Sequence, residues 1–261
     1  MAKLHKNQGF SLTEVLLSVG TLAVGMIFIA GVFPVAIHFA TVATEQTIAA
    51  VVADEAFAKI RIYAAGDLDN PTDGINLGAL YTDELADFND VLDLAPTVEL
   101  KSQEFAYPSD DDIDISQKQY FWSALCGLTE EYDSNNPNPP VQVTVFVCRR
   151  VNPRSPIPVP VRINVRRGSG SRDDELEITE AGKRTYINDG CTIVDDRTGR
   201  LYRILKRYPP PDDEIILLDR DWDDEDWEGN PHDPDKVWVV PPPVGGGKNP
   251  CIAIYQRVIR F

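Results

Sequence analysis

Histidine is scarce, with three in 261 residues. His5, His38 and His232 lie far apart in the chain, so they do not form the clusters on which most metal and acid–base sites rest. The four cysteines, Cys126, Cys148, Cys191 and Cys251, are too widely spaced for the C-x-x-C patterns of zinc ribbons and redox motifs. No G-x-S-x-G occurs, so a hydrolase elbow has no basis. Gly245-Gly246-Gly247-Lys248 lacks the glycine spacing of a phosphate loop, and Asn249 follows where Ser or Thr is required; it reads as a connecting loop. Basic residues are outnumbered, 25 Lys+Arg against 41 Asp+Glu, for a net charge of −16. A chain of that sign is not drawn as a whole to nucleic acid or to anionic lipid. No constellation supports catalysis, and the expectation is a protein that is not an enzyme.

A long apolar run occurs once, near the start. Between Glu14 and Glu45 no residue is formally charged, and Leu, Val, Ile, Ala, Gly and Phe predominate. About 20 apolar residues suffice to cross a bilayer as a helix, and lipid forces the helical form because backbone groups must be satisfied internally. The span is placed at about residues 15–37. It follows a short polar leader, MAKLHKNQG, whose Lys3 and Lys6 mark the cytoplasmic side. The chain after about residue 40 then faces outward. A secretory signal has a shorter apolar core with its small-residue cleavage site behind it; here the small residue, Gly9, stands in front.

Gly9-Phe10-Ser11-Leu12-Thr13-Glu14 resembles the processing segment of type IV pilin and type II secretion pseudopilin precursors. The shared pattern is a short basic leader, Gly at the cut, Phe first in the mature chain, Glu fifth, and an apolar helix directly after. The resemblance covers roughly residues 1–40. It implies cleavage between Gly9 and Phe10 by a prepilin peptidase in the inner membrane, and N-methylation of Phe10. Glu14 is implied to meet the amino group of a neighbouring pilin or pseudopilin subunit. A carboxylate in lipid is costly and is a functional-site candidate by default. The implied protein is a structural subunit of a type IV pilus or type II secretion pseudopilus, and the size of the domain after the helix leans toward a minor one. It would be held by one pass in the inner membrane, its C-terminal domain periplasmic or extracellular. The rival reading is a membrane-anchored surface binding or adhesin module using the same anchor.

The expected fold class is α+β, pilin-like: a long N-terminal helix packed on a mainly antiparallel β domain. Residues 1–9 are leader, 10–64 the helix, and 65–261 the β-rich domain. Pro34 lies within the helix, where a bend is expected. From Glu45 on, Ile48, Val52, Ala56, Ile60 and Tyr63 recur at spacings of three and four and so share one apolar face. Leu85, Phe88 and Leu92 suggest a weaker helix over 80–94. Strands are expected at 97–105, 119–125, 141–151, 161–166, 175–178, 191–195, 201–208, 214–218, 236–240 and 251–261. Val143, Val145 and Val147 alternate with Gln142, Thr144 and Phe146, as in a strand with one face buried.

The cysteines follow the span and so face an oxidising space. Either Cys126 and Cys148, which flank a Pro/Asn-rich connection, are bridged, or all four are free buried thiols. The acid-rich stretch DRDWDDEDWEGNPHDPD fails the EF-hand pattern. Asp219, Asp221 and Asp223 remain candidates for a looser calcium loop, of the kind some pseudopilins carry; the other reading is a solvated acidic loop anchored by Trp222 and Trp227. The acid-free, Arg-rich stretch 134–171 is expected to lie near this acidic block and partly neutralise it.

Overall fold

The computed structural model describes residues 11–64, 74–80, 84–93, 102–110, 112–130, 136, 138–167, 172–222, 235–243 and 249–261. The chain divides into two compact units, Met1–Thr47 and Ile48–Phe261. One helix, α1 (Leu12–Ala64), begins in the first and ends in the second, and it is continuous through Pro34.

In the second unit, α1 buries Ala49, Val52, Ala53, Ala56, Phe57 and Ile60. Small residues on this face let the helix lie close to a sheet, while Phe57 and Ile60 fill the space beside it. The strands in chain order are β1 (Gly74–Ile75), β2 (Ala86–Asp87), β3 (Leu92–Asp93), β4 (Ala106–Tyr107), β5 (Tyr120–Leu128) and β6 (Val141–Arg149). They continue with β7 (Val161–Arg166), β8 (Glu175–Ile178), β9 (Thr192–Asp195), β10 (Leu201–Arg207), β11 (Ile215–Leu218), β12 (Asp235–Val239) and β13 (Cys251–Ile259). The sheet under the helix runs β13-β6-β5-β2, with β4 also paired to β5, and its pairings are antiparallel. Trp122, Ala124, Cys126, Val141, Val143, Val145 and Val147 meet the helix. Polar contacts fix its position: Lys59 donates to the Glu104 carbonyl at 2.7 Å, and the Tyr63 hydroxyl to the Glu104 carboxylate at 2.8 Å. Arg257 lies 4.4 Å over the Phe57 ring and pairs with Asp54 at 2.6 Å.

The chain between β6 and β13 builds a second body, a closed six-stranded antiparallel barrel in the order β10-β11-β8-β7-β12-β9. Its strands are short and alternate, and their inward residues fill it: Ile163, Val165, Leu176, Ile178, Ile193, Tyr202, Ile204, Ile216 and Val237. The turn between β9 and β10 is set by Asp195, whose carboxylate accepts from the N–H groups of Arg197 and Thr198. Gly199 completes it at φ +69°, where a side chain would be strained.

Three expectations are corrected. Residues 80–94 do not form one helix; β2 and β3 flank a single turn, α2 (Phe88–Val91). Pairing of Ala86 and Asp87 with β5 captured the backbone, while Leu85 and Phe88 still reach apolar surroundings. The strand expected at 97–105 is displaced: residues 102–105 are turn and pairing starts at Ala106, residues 97–101 lying outside the described residues. β6 is buried on both faces, not one. Thr144 and Phe146 are fully buried on the side away from the helix, where Phe146 joins Leu125, Val194 and Val240 in a core between sheet and barrel.

Candidate functional site

The amino-terminal segment begins with Ser11; Gly9 and Phe10, the expected processing residues, lie outside the described residues. Glu14 stands in the first turn of α1, its N–H donating to the Ser11 carbonyl at 3.0 Å. Leu12, Leu16, Leu17, Ile27, Phe28, Phe33 and Phe39 are all more than 60 % exposed. Among the described residues one helix is long and apolar enough to span a membrane; its most apolar stretch has a mean hydropathy of 2.4, and none of it is buried. Its hydroxyls are satisfied locally: Ser18 donates to the Glu14 carbonyl, Thr21 to Ser18 and Thr41 to Ile37, at 2.8 to 2.9 Å. Back-bonding of this kind lets Ser and Thr sit in an apolar helix without water. Glu14 differs from these hydroxyls: its carboxylate only accepts, so the helix carbonyls cannot satisfy it, and its donors must come from first-turn N–H groups or from outside the helix.

In the acidic stretch, Asp219 is exposed and directly follows β11. Its carboxylate accepts from the Arg203 N–H at 3.0 Å and from the Arg220 guanidinium at 3.3 Å. Burial alone would raise this carboxyl; those two donors hold it below its ordinary value. Asp221 is exposed, and Asp223 lies outside the described residues, as does Trp227. Among the described residues no three His, Cys, Asp or Glu side chains stand close enough to hold a metal. Trp222 is buried against Tyr202, ring centroids 4.7 Å apart, so it anchors this end of the stretch. Among the described residues, the Arg-rich and acidic blocks come together at Asp235, opposite Val165 where β12 pairs with β7. Among the described ion pairs of these blocks are Arg166 with Glu177, Arg162 with Glu84 and Asp196, and Asp213 with Arg184 and Arg207.

No two of the four cysteines are bridged in this structure, and the pairing expected for Cys126 and Cys148 is not available to them. Cys126 lies opposite Val143 and Cys148 opposite Phe121, so the two sit about five residues apart along the β5–β6 ladder. At about 3.3 Å per residue this far exceeds disulfide reach. They also face opposite sides: Cys126 lines the core under the helix, Cys148 the core toward the barrel. Burial pushes the Cys126 thiol far up and the Cys191 thiol up to about 11. Cys148 instead lies directly across from Cys251 on β13. Nothing in the local sequence marks that neighbour, which depends on two strands separated by the whole barrel.

A polar junction, which residue patterns did not foretell, joins the sheet to the barrel. Arg162 donates to the Glu84 carboxylate and to the Leu85 carbonyl, both at 2.7 Å, and lies 4.8 Å over the Trp238 ring. Lys236 reaches the same Glu84 oxygen at 2.7 Å. The Trp238 indole N–H donates to Asp196, which also faces Arg162 at 3.3 Å. Burial pushes the Asp196 carboxyl up to about 6, against the pull of Trp238 and Arg162. Lys236 and the Arg162 guanidinium draw the Glu84 carboxyl below its ordinary value. A cleft of about 270 Å³ opens between residues 116–119 and 150–153; Lys118 and Arg150 line it, with no carboxylate, histidine or cysteine.

No protein-family model matches the chain, and no curated protein or solved structure is significantly similar to it.

Proposed function

We propose that the chain is a structural subunit, of the minor kind, of a type IV pilus or type II secretion pseudopilus. The observation that carries this reading is the amino-terminal half of α1. It bears an uncovered apolar surface from Leu12 to Phe39 with a single carboxylate, Glu14, at its start. The helix then continues without a break into one packed on a β-sheet. An anchor needs only the apolar length. A carboxylate set into the first turn, five residues after Gly9, answers a different need, a cationic partner inside a bundle of like helices. On this reading a prepilin peptidase cuts after Gly9 and Phe10 supplies that cation as a new amino terminus. The β domain, with its inserted barrel, stays outside the inner membrane and sets which subunits or surfaces it meets.

Processing tests the reading first. A peptidase that closes around Gly9 has no space for a side chain there. Gly9→Val should therefore leave the precursor at full length, whereas the wild-type chain loses its first nine residues; intact mass of the membrane-extracted protein distinguishes the two. A wild-type mass that retains the leader would refute the family reading.

A further inference from the structure

We propose that Cys148 and Cys251 form a disulfide that staples the root of the barrel, closed by exchange with an oxidant that itself carries a disulfide. The two residues are direct partners across the β6–β13 ladder. The Arg149 N–H donates to the Pro250 carbonyl at 2.7 Å, which makes Arg149 and Pro250 a hydrogen-bonded pair. Narrow and wide pairs alternate along an antiparallel ladder, so the next pair, Cys148 and Cys251, is of the close, non-hydrogen-bonded kind. The Cys251 N–H confirms it by turning away to the Asn249 side chain at 2.9 Å. Such pairs hold their Cα atoms about 4.5 Å apart, inside the range a disulfide spans. Both side chains face the core between sheet and barrel. A bulge between Cys251 and Ala253 leaves the Cys251 thiol near the Ala253 carbonyl, at 3.7 Å.

The position has a structural meaning. Cys148 is near the end of β6, where the chain leaves the sheet, and Cys251 begins β13, where it returns. The described strands between them, β7 to β12, build the barrel.

Access sets the order of events. Cys251 is half-buried and Cys148 is 1 % exposed. The Cys251 thiolate attacks one sulfur of the oxidant's disulfide, expels one thiolate and leaves a mixed disulfide. Cys148 then gives up its proton, attacks the Cys251 sulfur and expels the second thiolate. The two cysteine sulfurs lose two electrons in all; the oxidant's sulfurs gain them and take up the two protons. The Cys251 thiol beside it, together with burial, pushes the Cys148 thiol up, so the second step is the slower one.

The site stands on geometry alone; only the supply of oxidant in the cell rests on the outward-facing reading proposed above. The test uses the purified full-length chain in detergent, reduced, then exposed to oxidised glutathione, alkylated with N-ethylmaleimide and digested without reduction. One cross-linked peptide pair containing Cys148 and Cys251 is expected, with Cys126 and Cys191 alkylated after unfolding. Cys251→Ser should abolish that pair and Cys126→Ser should keep it. A Cys191–Cys251 bridge, four alkylated thiols, or a glutathione adduct that stops on Cys251 would overturn the proposal. The same mapping on protein alkylated at harvest then reads the compartment. A pair that closes in glutathione but is reduced in the cell upholds the site and contradicts the outward-facing domain.

Discussion

Asp196 is the residue whose surroundings are most at odds with its charge. It is 4 % exposed, donated to by Trp238 and faced by Arg162, yet the like-charged Glu84 shares that guanidinium. Burial wins, and the carboxyl is pushed up to about 6. An acid whose folded value exceeds its unfolded value favours the native state when protonated, so its contribution is present at low pH and is lost as pH rises from about 4 to about 6. Between pH 7 and pH 5 the wild-type chain should therefore gain about 1 kcal/mol relative to Asp196→Asn. Paired thermal melts of the two proteins at both pH values read this difference, and carboxylates remote from the junction and common to both, such as Glu104, cancel. A gap that does not change, or that widens in favour of Asn on acidification, contradicts the burial argument. None of this was legible in the residue order. Arg162, Glu84, Lys236 and Asp196 fall in four separate segments, and only the folded topology brings them together.

Elements divide into those that carry their own pattern and those defined by a partner. The apolar half of α1 is read from length and lack of charge. Its second half is read from spacing, and the face named by Val52, Ala56 and Ile60 is the buried one. Strands β6 to β13 were largely legible, because short alternating runs end in turn residues such as those at 195–199. The two-residue strands β1 to β4 were not, since nothing but pairing defines them. Leu85, Phe88 and Leu92 satisfy a helical spacing, yet the backbone is taken by β5. The burial of Thr144 and Phe146 was hidden for a related reason: a strand covered by a helix on one face and a barrel on the other differs from a half-exposed strand only in what lies across it. The helix–sheet contact offers a stability test at this scale. Phe57 is buried under Arg257, and Phe57→Ala removes the largest side chain from the buried face of the helix. Its expected cost is about 3–5 kcal/mol, seen as a lower melting temperature of the β domain, with the amino-terminal half of the helix left long and apolar enough to span a membrane. A melting temperature equal to that of the wild type would show that the helix does not depend on this contact.

At the scale of the molecule, two features lie beyond any local pattern. The first is closure of the barrel, which requires β12 to join β7 on one side and β9 on the other. The second is the return of β13 to β6, which sets Cys251 against Cys148. A bridge there would close a loop of roughly a hundred residues, worth about 4–5 kcal/mol in the chain-entropy model, and would tie the barrel to the sheet that the helix carries. The amino-terminal segment, by contrast, is a pattern of adjacency: Gly9, Phe10, Glu14 and the apolar run all lie within about 30 residues, and its long apolar helix is the part the structure bears out. The central claim is that Glu14 serves assembly and not merely anchorage. Replacing it with Leu extends the apolar surface, so a plain anchor would be retained in the membrane as well as before. In a filament, the same change would leave the Phe10 amine without its partner among packed helices. Breaking such a buried pair costs roughly 3–5 kcal/mol. The direct measurement is recovery of wild-type and Glu14→Leu protein in filaments sheared from cells that also express the major subunit. The account predicts normal insertion and cleavage of Glu14→Leu with its loss from the sheared fraction. Equal recovery of both proteins in that fraction, or absence of both, would contradict assembly through Glu14.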